Sequence, residues 1–414
     1  MMQSLNLAYT LPFPTRSGYD LRVWNICACL SPRIRQTLLC RNQQPVGSDC
    51  QEHFRGKGIT LRSLHLPAPG RVAKGVKALG FLLSAYPVMM AGWQFAQMRR
   101  ELARLLATES FDLIVMEGIW LAAYWPLIER SRAVKILNHF DLEAVSLRRQ
   151  ASVMQPGFQR ALYLHDARRM QKLENRIIRK ADWVWVTSPR EKQILLERDP
   201  ALPVEVAPNG VDCDAIRPLP AVESRELLFV GSMSHYPNVD AVLYFAREVL
   251  PLLRRSIPDA VFRIVGRGAG PDIRELAKLP GVLVTGEVAD LRPYYARCAA
   301  CVVPLRSGGG TRLKILECMA YGRPVISTAL GAEGIAIDDG VHFLKADTPA
   351  AMVEAIRKTL SQPELSLELV RNARARVEAQ YDWKAIAGKM HDRYQDLVSR
   401  RAICLQQDGV LCKA

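Results

Sequence analysis

The sequence predicts an α/β protein built from two doubly wound parallel sheets, each in its own domain, facing each other across a cleft. Three observations carry this expectation. The chain is 414 residues long, enough for two domains. Apolar runs of four to six residues, rich in Val, Ile and Leu and without polar alternation, read as strands buried on both faces. These runs alternate with amphipathic helical stretches, the pattern of parallel sheets covered by helices. The alternation breaks once, at Pro208–Glu226, a stretch rich in Pro, Asn and Asp.

In the first half the strand runs are Leu5–Tyr9, Gln36–Cys40, Ile59–Leu66, Phe111–Met116, Ala133–Leu137, Asp182–Thr187 and Val204–Ala207. Helical patterns lie between them at Tyr19–Leu30, Pro87–Leu106 and Phe158–Lys180. In the second half the runs are Leu227–Gly231, Phe262–Gly266, Val282–Gly286, Ala300–Leu305 and Pro324–Thr328. Their helical partners are Asn238–Ser256, Asp272–Leu279, Leu291–Cys298 and Thr311–Tyr321. The expected organisation is a first domain over 1–212, a linker over 213–226, a second domain over 227–384, and a last helix over 385–414 packing back on the first domain. Ligands in such sheets bind at the carboxyl ends of the strands, so the residues just after each strand are the candidates.

Composition narrows the function. A chain 49% hydrophobic and 23% charged folds, which excludes disordered, collagenous and coiled-coil classes. Its formal charge is +15, and residues 1–100 hold thirteen basic against three acidic side chains, so most of the excess sits in the first quarter. Such a surface favours an anionic partner: nucleic acid, a membrane surface or a phosphorylated acceptor. Single-stranded nucleic acid needs cations interleaved with aromatics. Arg71, Lys74 and Lys77 have no such neighbours and Phe158–Lys180 has only Phe158 and Tyr163, so nucleic acid is not expected.

From Ala78 to Met98 no residue is charged, a length that permits a membrane span. Pro87, Ser84, Gln94 and Gln97 argue against one, with Pro87 in the first turn of a helix running to about Leu106. An interfacial apolar surface beside Arg71, Lys74 and Lys77, resting on an anionic membrane, is the other reading. The start MMQSLNLAYT lacks a signal peptide's basic and apolar regions, which fits a cytoplasmic chain. Ten cysteines are too few for a disulfide scaffold. Cys298-Ala-Ala-Cys301 has metal-like spacing, but no second pair or histidine pair follows, so no metal site is expected.

The strongest local signal is Ser307-Gly308-Gly309-Gly310-Thr311-Arg312-Leu313-Lys314-Ile315-Leu316-Glu317, directly after the strand ending in Pro304-Leu305. The glycines permit a turn that brings backbone N–H groups close to a ligand, and Thr311 reads as a helix cap. Arg312 and Lys314 then sit where the helix dipole disfavours cations by some tenths of a kcal/mol each. A pyrophosphate would reverse that penalty. The alternative is a solvated Lys314–Glu317 pair on one helical face. A rival loop, Gly266-Arg267-Gly268-Ala269-Gly270-Pro271, starts like a dinucleotide fingerprint. It has Pro271 in place of the third glycine and follows the second strand of its domain, so no dinucleotide cofactor is expected. Gly231-Ser232-Met233-Ser234-His235 ends the first strand of that domain, with His235 read as a surface residue.

The order LLFVGSMSHYPNVDAVLYF, FRIVGRG, VLVTGEVADLRPYYARCAACVVPL, SGGGTRLKILECMAYGRPVISTALGAEGI and YDW resembles glycosyltransferase family 4, the retaining nucleotide-sugar transferases of the GT-B fold. The likeness is close over 225–385 and weaker before it, through Ser17-Gly18, ADWVWVTS and PNGVD. The PNVDA and GGGTRLK forms are similar to those of bacterial exopolysaccharide transferases. The resemblance implies a sugar transferase with an acceptor-side first domain and a donor-binding second domain, using no cofactor and no metal. Arg312 and Lys314 would hold the donor diphosphate, Glu317 the ribose hydroxyls, and Gly286-Glu287-Val288 the nucleobase. Gly309, Gly310, Thr311, Gly231, Ser232 and Gly266 would line the donor site. Gly18 would lie in the acceptor-side loop, and His139 of NHFDLE near the reacting sugar. The acceptor itself is not read from the sequence: a saccharide or a lipid-linked acceptor is expected, and the basic first quarter fits a cytoplasmic protein resting on the cytoplasmic face of the inner membrane.

One departure bears on the donor. The family's usual two glutamates are separated by seven residues, and counting back eight from Glu317 reaches Gly309. The residue that normally contacts the transferred sugar is therefore replaced. Two other readings remain beside the transferase: a GT-B epimerase or phosphorylase, and a basic nucleic-acid-binding module.

Overall fold

Buried apolar runs become strands here because both of their faces are covered. The computed structural model describes residues 1–15, 17–43, 46–66, 80–81, 84–93, 95–152, 154–307 and 312–411. The first sheet contains β1 Met2–Ala8, β2 Ile34–Asn42, β3 Ile59–His65, β4 Leu113–Glu117, β5 Val134–His139, β6 Trp183–Val186 and β7 Val204–Val206. Its order is β3-β2-β1-β4-β5-β6-β7. The second contains β8 Glu226–Val230, β9 Val261–Val265, β10 Val282–Gly286, β11 Ala300–Val303, β12 Val325–Ser327 and β13 Leu344–Lys345, in the order β10-β9-β8-β11-β12-β13.

Every pairing among these strands is parallel. In each sheet the first strand lies between its successor and the fourth strand, so the winding reverses at β1/β4 and at β8/β11. The expected class of two doubly wound α/β sheets is what the chain forms. β13 was not foreseen, since two residues leave no readable run.

The chain divides into two compact units, Met1–Ala207 with Ile386–Ala414, and Pro208–Ala385. The first unit buries Leu5, Leu7, Ile114, Met116 and Leu137 of the sheet against Met170, Leu173 and Ile177. The second buries Phe229, Phe262, Tyr295, Leu316 and Met319, with Phe245 and Phe262 rings 4.4 Å apart. Residues 208–226, a linker by composition, lie against the second unit. There Arg374 donates to the carbonyls of Ile216 and Cys213, and Arg323 to that of Pro220. Two buried guanidiniums thereby satisfy backbone groups that no sheet or helix would.

The helices that position functional groups are α1 Gly18–Leu30, α2 Ala96–Thr108, α3 Glu143–Ser152, α4 Phe158–Lys180, α5 Tyr236–Tyr244, α6 Leu313–Ala320 and α7 Trp383–Leu411. Two expected helices are interrupted. Pro87–Leu106 becomes a 3-10 turn at Val88–Trp93 followed by α2. The Asp166 carboxylate accepts the N–H groups of Val88 and Met89, each at 2.9 Å, and the Tyr124 hydroxyl accepts that of Phe95. Side chains thus replace the bonds a continuous helix would have made.

Asn238–Ser256 widens into a π turn at Phe245–Val249, where the Leu250 N–H reaches the Phe245 carbonyl. Pro251 follows immediately, and its missing N–H is accommodated by that wider turn. Met90, Ala91 and Met98 of the uncharged segment are buried in the core. Among the described residues no helix is long and apolar enough to cross a membrane. Arg71, Lys74 and Lys77 lie outside them.

Candidate active site

Gly231, Ser232, Arg312 and Lys314 of the second unit lie where its winding reverses, the place at which open α/β sheets take ligands. β8 runs out into Gly231–His235, and β11 into Pro304-Leu305-Arg306-Ser307. Gly308, Gly309, Gly310 and Thr311 lie outside the described residues. α6 starts at Leu313 with Arg312 at its N-cap, so Arg312 and Lys314 flank the first helical residue.

Lys314 turns toward the β8 loop. Its ammonium donates to Asn238 Oδ1 at 2.8 Å and lies 3.9 Å from the centroid of the Phe229 ring. Asn238, in the first turn of α5, donates through Nδ2 to the Ser232 carbonyl at 2.8 Å. A Cβ on Gly231 would stand 2.8 Å from Lys314 Nζ, so only glycine lets the ammonium occupy this place. Gly231 in turn fits beneath Gly266, where a Cβ would be 1.8 Å from the Gly231 carbonyl oxygen. The strand ends are stitched by Gly231 N–H to Val265 O at 3.0 Å and Gly266 N–H to Gly286 O at 2.8 Å.

Two glycines of the apparent fingerprint, Gly266 and Gly268, pack closely on the β8 loop. A Cβ on Gly268 would stand 2.3 Å from Ser234 Oγ, and Gly270 precedes the short helix Pro271–Glu275. After β10, Glu287 is exposed and Val288 packs against the core.

Burial, then the neighbouring Arg312, pulls Lys314 down to about 7, although Glu317 opposes the shift. Burial pushes Glu317 up to about 7, against the Tyr295 hydroxyl, which donates to it at 3.4 Å, and the Lys314 charge. His235 is exposed, yet partial burial and the charges of Arg312 and Lys314 lower its pKa. Arg312 is 7% exposed. The solvated Lys314–Glu317 pair does not form: each side chain goes to a different partner. Two cations gathered at a helix start and partly desolvated form a site that an anion would relieve.

In the first unit, Gly18 opens α1, whose N-cap Ser17 Oγ accepts the Asp20 N–H at 3.2 Å. A Cβ there would meet nothing within 4 Å. His139 ends β5, only 2% exposed, with Nε2 3.5 Å from Glu174 Oε1. Burial disfavours its imidazolium, but Glu174, Glu191 and Glu143 outweigh burial and raise its pKa. Glu143 accepts the Trp120 indole N–H at 2.8 Å, and burial together with Asp141 pushes it up to about 7. Burial raises Asp141 and Glu191 as well.

Asn238, His235 and Glu174 were not singled out from the sequence as site residues. Asn238 carried a visible signal, since Asn mid-turn after a helix-starting proline is a weak helix former. Cys298 and Cys301 are both buried, one before β11 and one within it, and their thiols are pushed well up.

Comparison with known proteins now decides the family. Residues 224–362 match a model described as glycosyl transferases group 1, and residues 17–210 one described as a glycosyl transferase 4-like domain. The chain belongs to the group 1 and 4-like glycosyl transferases.

Among characterised members, the phosphatidyl-myo-inositol mannosyltransferase of Mycolicibacterium smegmatis is 31% identical over 213 residues, covering 49% of this chain and 54% of that one. The D-inositol 3-phosphate glycosyltransferase of Frankia alni is 29% identical over 229 residues, covering 49% and 55%. The chain thus spans about half the length of the curated relatives it matches. Among solved structures, sucrose-phosphate synthase from Thermosynechococcus elongatus superposes with a TM-score of 0.66 at 20% identity, covering 97% of this chain and all of that one. Anabaena HepE in complex with UDP and glucose gives 0.65 at 15% identity, covering 95% and 100%. The fold of this family member is GT-B, as the motif resemblance implied.

Proposed function

We propose that this family member transfers a sugar from a nucleotide-diphosphate sugar to an acceptor hydroxyl with retention of configuration. The observation that carries the reading is the cationic pair, Arg312 and Lys314, brought by the start of α6 to the β8/β11 switch point. In this reading the pair holds the donor diphosphate. Glu317 takes the ribose hydroxyls, and Gly286-Glu287-Val288 meet the nucleobase. Ser232, Gly309, Gly310 and Thr311 complete the donor site, and Gly18 belongs to the acceptor-side loop.

As the bond from the anomeric carbon to phosphate breaks, negative charge grows on the leaving diphosphate, where two fixed cations and a helix start stabilise it. The acceptor oxygen bonds to the anomeric carbon on the face the phosphate leaves, and its proton passes to a departing phosphate oxygen. His139 is held against Glu174 with its ring nitrogens buried; in this reading, taken from the motif resemblance, it is a catalytic residue for the reacting sugar.

The test is label transfer and hydrolysis with UDP-, GDP- and dTDP-sugars. UDP-sugars come first, because HepE, of the same fold, was solved with UDP and glucose. The product's anomeric configuration by NMR should match the donor's. Absence of both activities with every donor, or an inverted product, would contradict the proposal. With cations in place for the leaving group, turnover should survive EDTA. Complete loss that Mn²⁺ or Mg²⁺ restores would show that they do not suffice.

We further propose a lipid-linked saccharide acceptor at an anionic, cytoplasmic membrane face, with exopolysaccharide assembly as the setting and no nucleic-acid partner. The mannosyltransferase relative, named for a phosphatidylinositol acceptor, supports the lipid class. So does α4. Its acidic residues Asp166 and Glu174 are fully buried, whereas Arg168, Lys172 and Arg176 are exposed along one face, with Phe158 84% exposed at the helix start. Three cations near such a surface contribute about 3 kcal/mol, roughly 150-fold in partitioning. Wild type should co-sediment with phosphatidylglycerol vesicles at low salt but not with phosphatidylcholine vesicles. Changing Arg168, Lys172 and Arg176 together to Glu should abolish this; equal pelleting of both proteins would overturn the membrane reading.

A further inference from the structure

Lys314 is held by a group from outside its own helix. Asn238 is 76 positions earlier in the chain, and its carboxamide uses both ends: Oδ1 accepts from the Lys314 ammonium, and Nδ2 donates to the Ser232 carbonyl. The same residue's backbone N–H closes the loop onto the His235 carbonyl at 2.9 Å. One side chain therefore fastens the β8 loop and the cation to each other. Asn238 stands in the first turn of α5, and both ends of its carboxamide are spent on these contacts.

The choice of a neutral acceptor has a consequence. A carboxylate at this distance would pair with the ammonium and cancel much of its field, whereas a carboxamide orients the lysine and leaves its charge intact. The nearest acid on the same helix, Asp240, is taken by Arg306 through two bonds of 2.7 and 3.1 Å. Among the described residues, the other groups around Lys314 are Arg312 at the N-cap of its own helix, Glu317 one turn on, His235 in the β8 loop and the Phe229 ring. Only Glu317 among these is acidic, and it is bonded to Tyr295.

We propose that Asn238 is a positioning residue for donor binding, holding the Lys314 ammonium against the Ser232 loop while leaving its charge uncompensated for the diphosphate. This rests on the reading of Lys314 as a diphosphate ligand. Burial and Arg312 pull Lys314 down to about 7, so a bound diphosphate would keep on its ammonium a proton that the empty site sheds as pH rises. Donor affinity then falls by roughly tenfold per pH unit above that point.

The test compares wild type with Asn238→Asp and Asn238→Ala, using calorimetric binding of UDP, GDP and dTDP between about pH 6 and 9 and NMR titration of ¹³Cε-labelled lysine in nucleotide-free protein. Asn238→Asp, the isosteric change, should raise the Lys314 titration by at least about one pH unit and flatten the fall in affinity. It should also weaken nucleotide binding about tenfold at the acidic end, where the carboxylate competes with the diphosphate. Asn238→Ala should weaken binding similarly without raising the titration. Melting temperatures identify any variant that has lost its fold, and the aspartate variant carries the test if alanine is not tolerated. If wild type binds a nucleotide and Asn238→Asp binds and titrates as wild type does, the proposal is overturned. If wild type binds none of the three, the reading of Lys314 as a diphosphate ligand fails first, and this proposal with it.

Discussion

Replacing Lys314 or Arg312 with alanine will lower kcat/KM by about 10–150-fold, the cost of about 1.5–3 kcal/mol for one charge-assisted contact to a diphosphate. The two losses will not add, because Arg312 disfavours the charged form of Lys314 and removing it relieves that lysine. The effect should fall on kcat as well as KM, since leaving-group charge grows toward the transition state. Steady-state kinetics with the best donor from the panel gives the answer. Near-normal turnover in both single variants would mean that the pair only decorates the start of α6.

Gly266→Ala will be more damaging to the fold. Its new Cβ would meet the Gly231 carbonyl oxygen at 1.8 Å, and φ at this residue is +150°, a conformation L side chains rarely adopt. Backbone against backbone cannot be relieved by a rotamer change, so the β8 and β9 loop ends must separate. We expect a loss of about 2–4 kcal/mol. For a domain of this size that is a melting temperature lower by roughly 5–15 °C. Nucleotide binding should weaken too, because Gly231 is also the surface against which Lys314 lies. Gly270→Ala, in the same loop, is the control: its Cβ meets nothing within 4 Å, and it should melt with wild type. Equal melting of Gly266→Ala and wild type would show that the loop ends are free to separate.

These two results bear on what the sequence made legible. Strands announced themselves where burial on both faces demanded a mostly apolar run, as in β4 (LIVME) and in β5 (VKILNH), where every residue is buried and the polar ones include Lys135 near the start and Asn138 and His139 at the end. β13 did not, because its two residues are defined by pairing with Ile326 and Ser327 and by no pattern of their own. The helix breaks before α2 and after α5 were hidden for a related reason. Periodicity sees the apolar face, whereas the interruptions are set by the remote Asp166 and Tyr124 in one case and by a local π turn before Pro251 in the other.

The site divides along the same line. Arg312, Lys314 and Glu317 were readable because a glycine run followed by two cations at a helix start conflicts with local electrostatics and so asks for a ligand. Asn238 and His235 join them only through the approach of the β8 loop and α5 to α6, a tertiary contact that spacing cannot encode. His139 was readable as a polar residue ending a strand, but its burial against Glu174 depends on α4 packing over that strand end.

The central claim is that the β8/β11 switch point of the second unit binds a nucleoside diphosphate through Arg312 and Lys314. Calorimetric titration of wild type and of the Arg312→Ala, Lys314→Ala double variant with UDP, GDP and dTDP tests it without any acceptor. The account predicts that wild type binds at least one nucleotide and that the folded double variant binds none measurably. It is contradicted if wild type binds none of the three, or if the double variant binds as tightly as wild type.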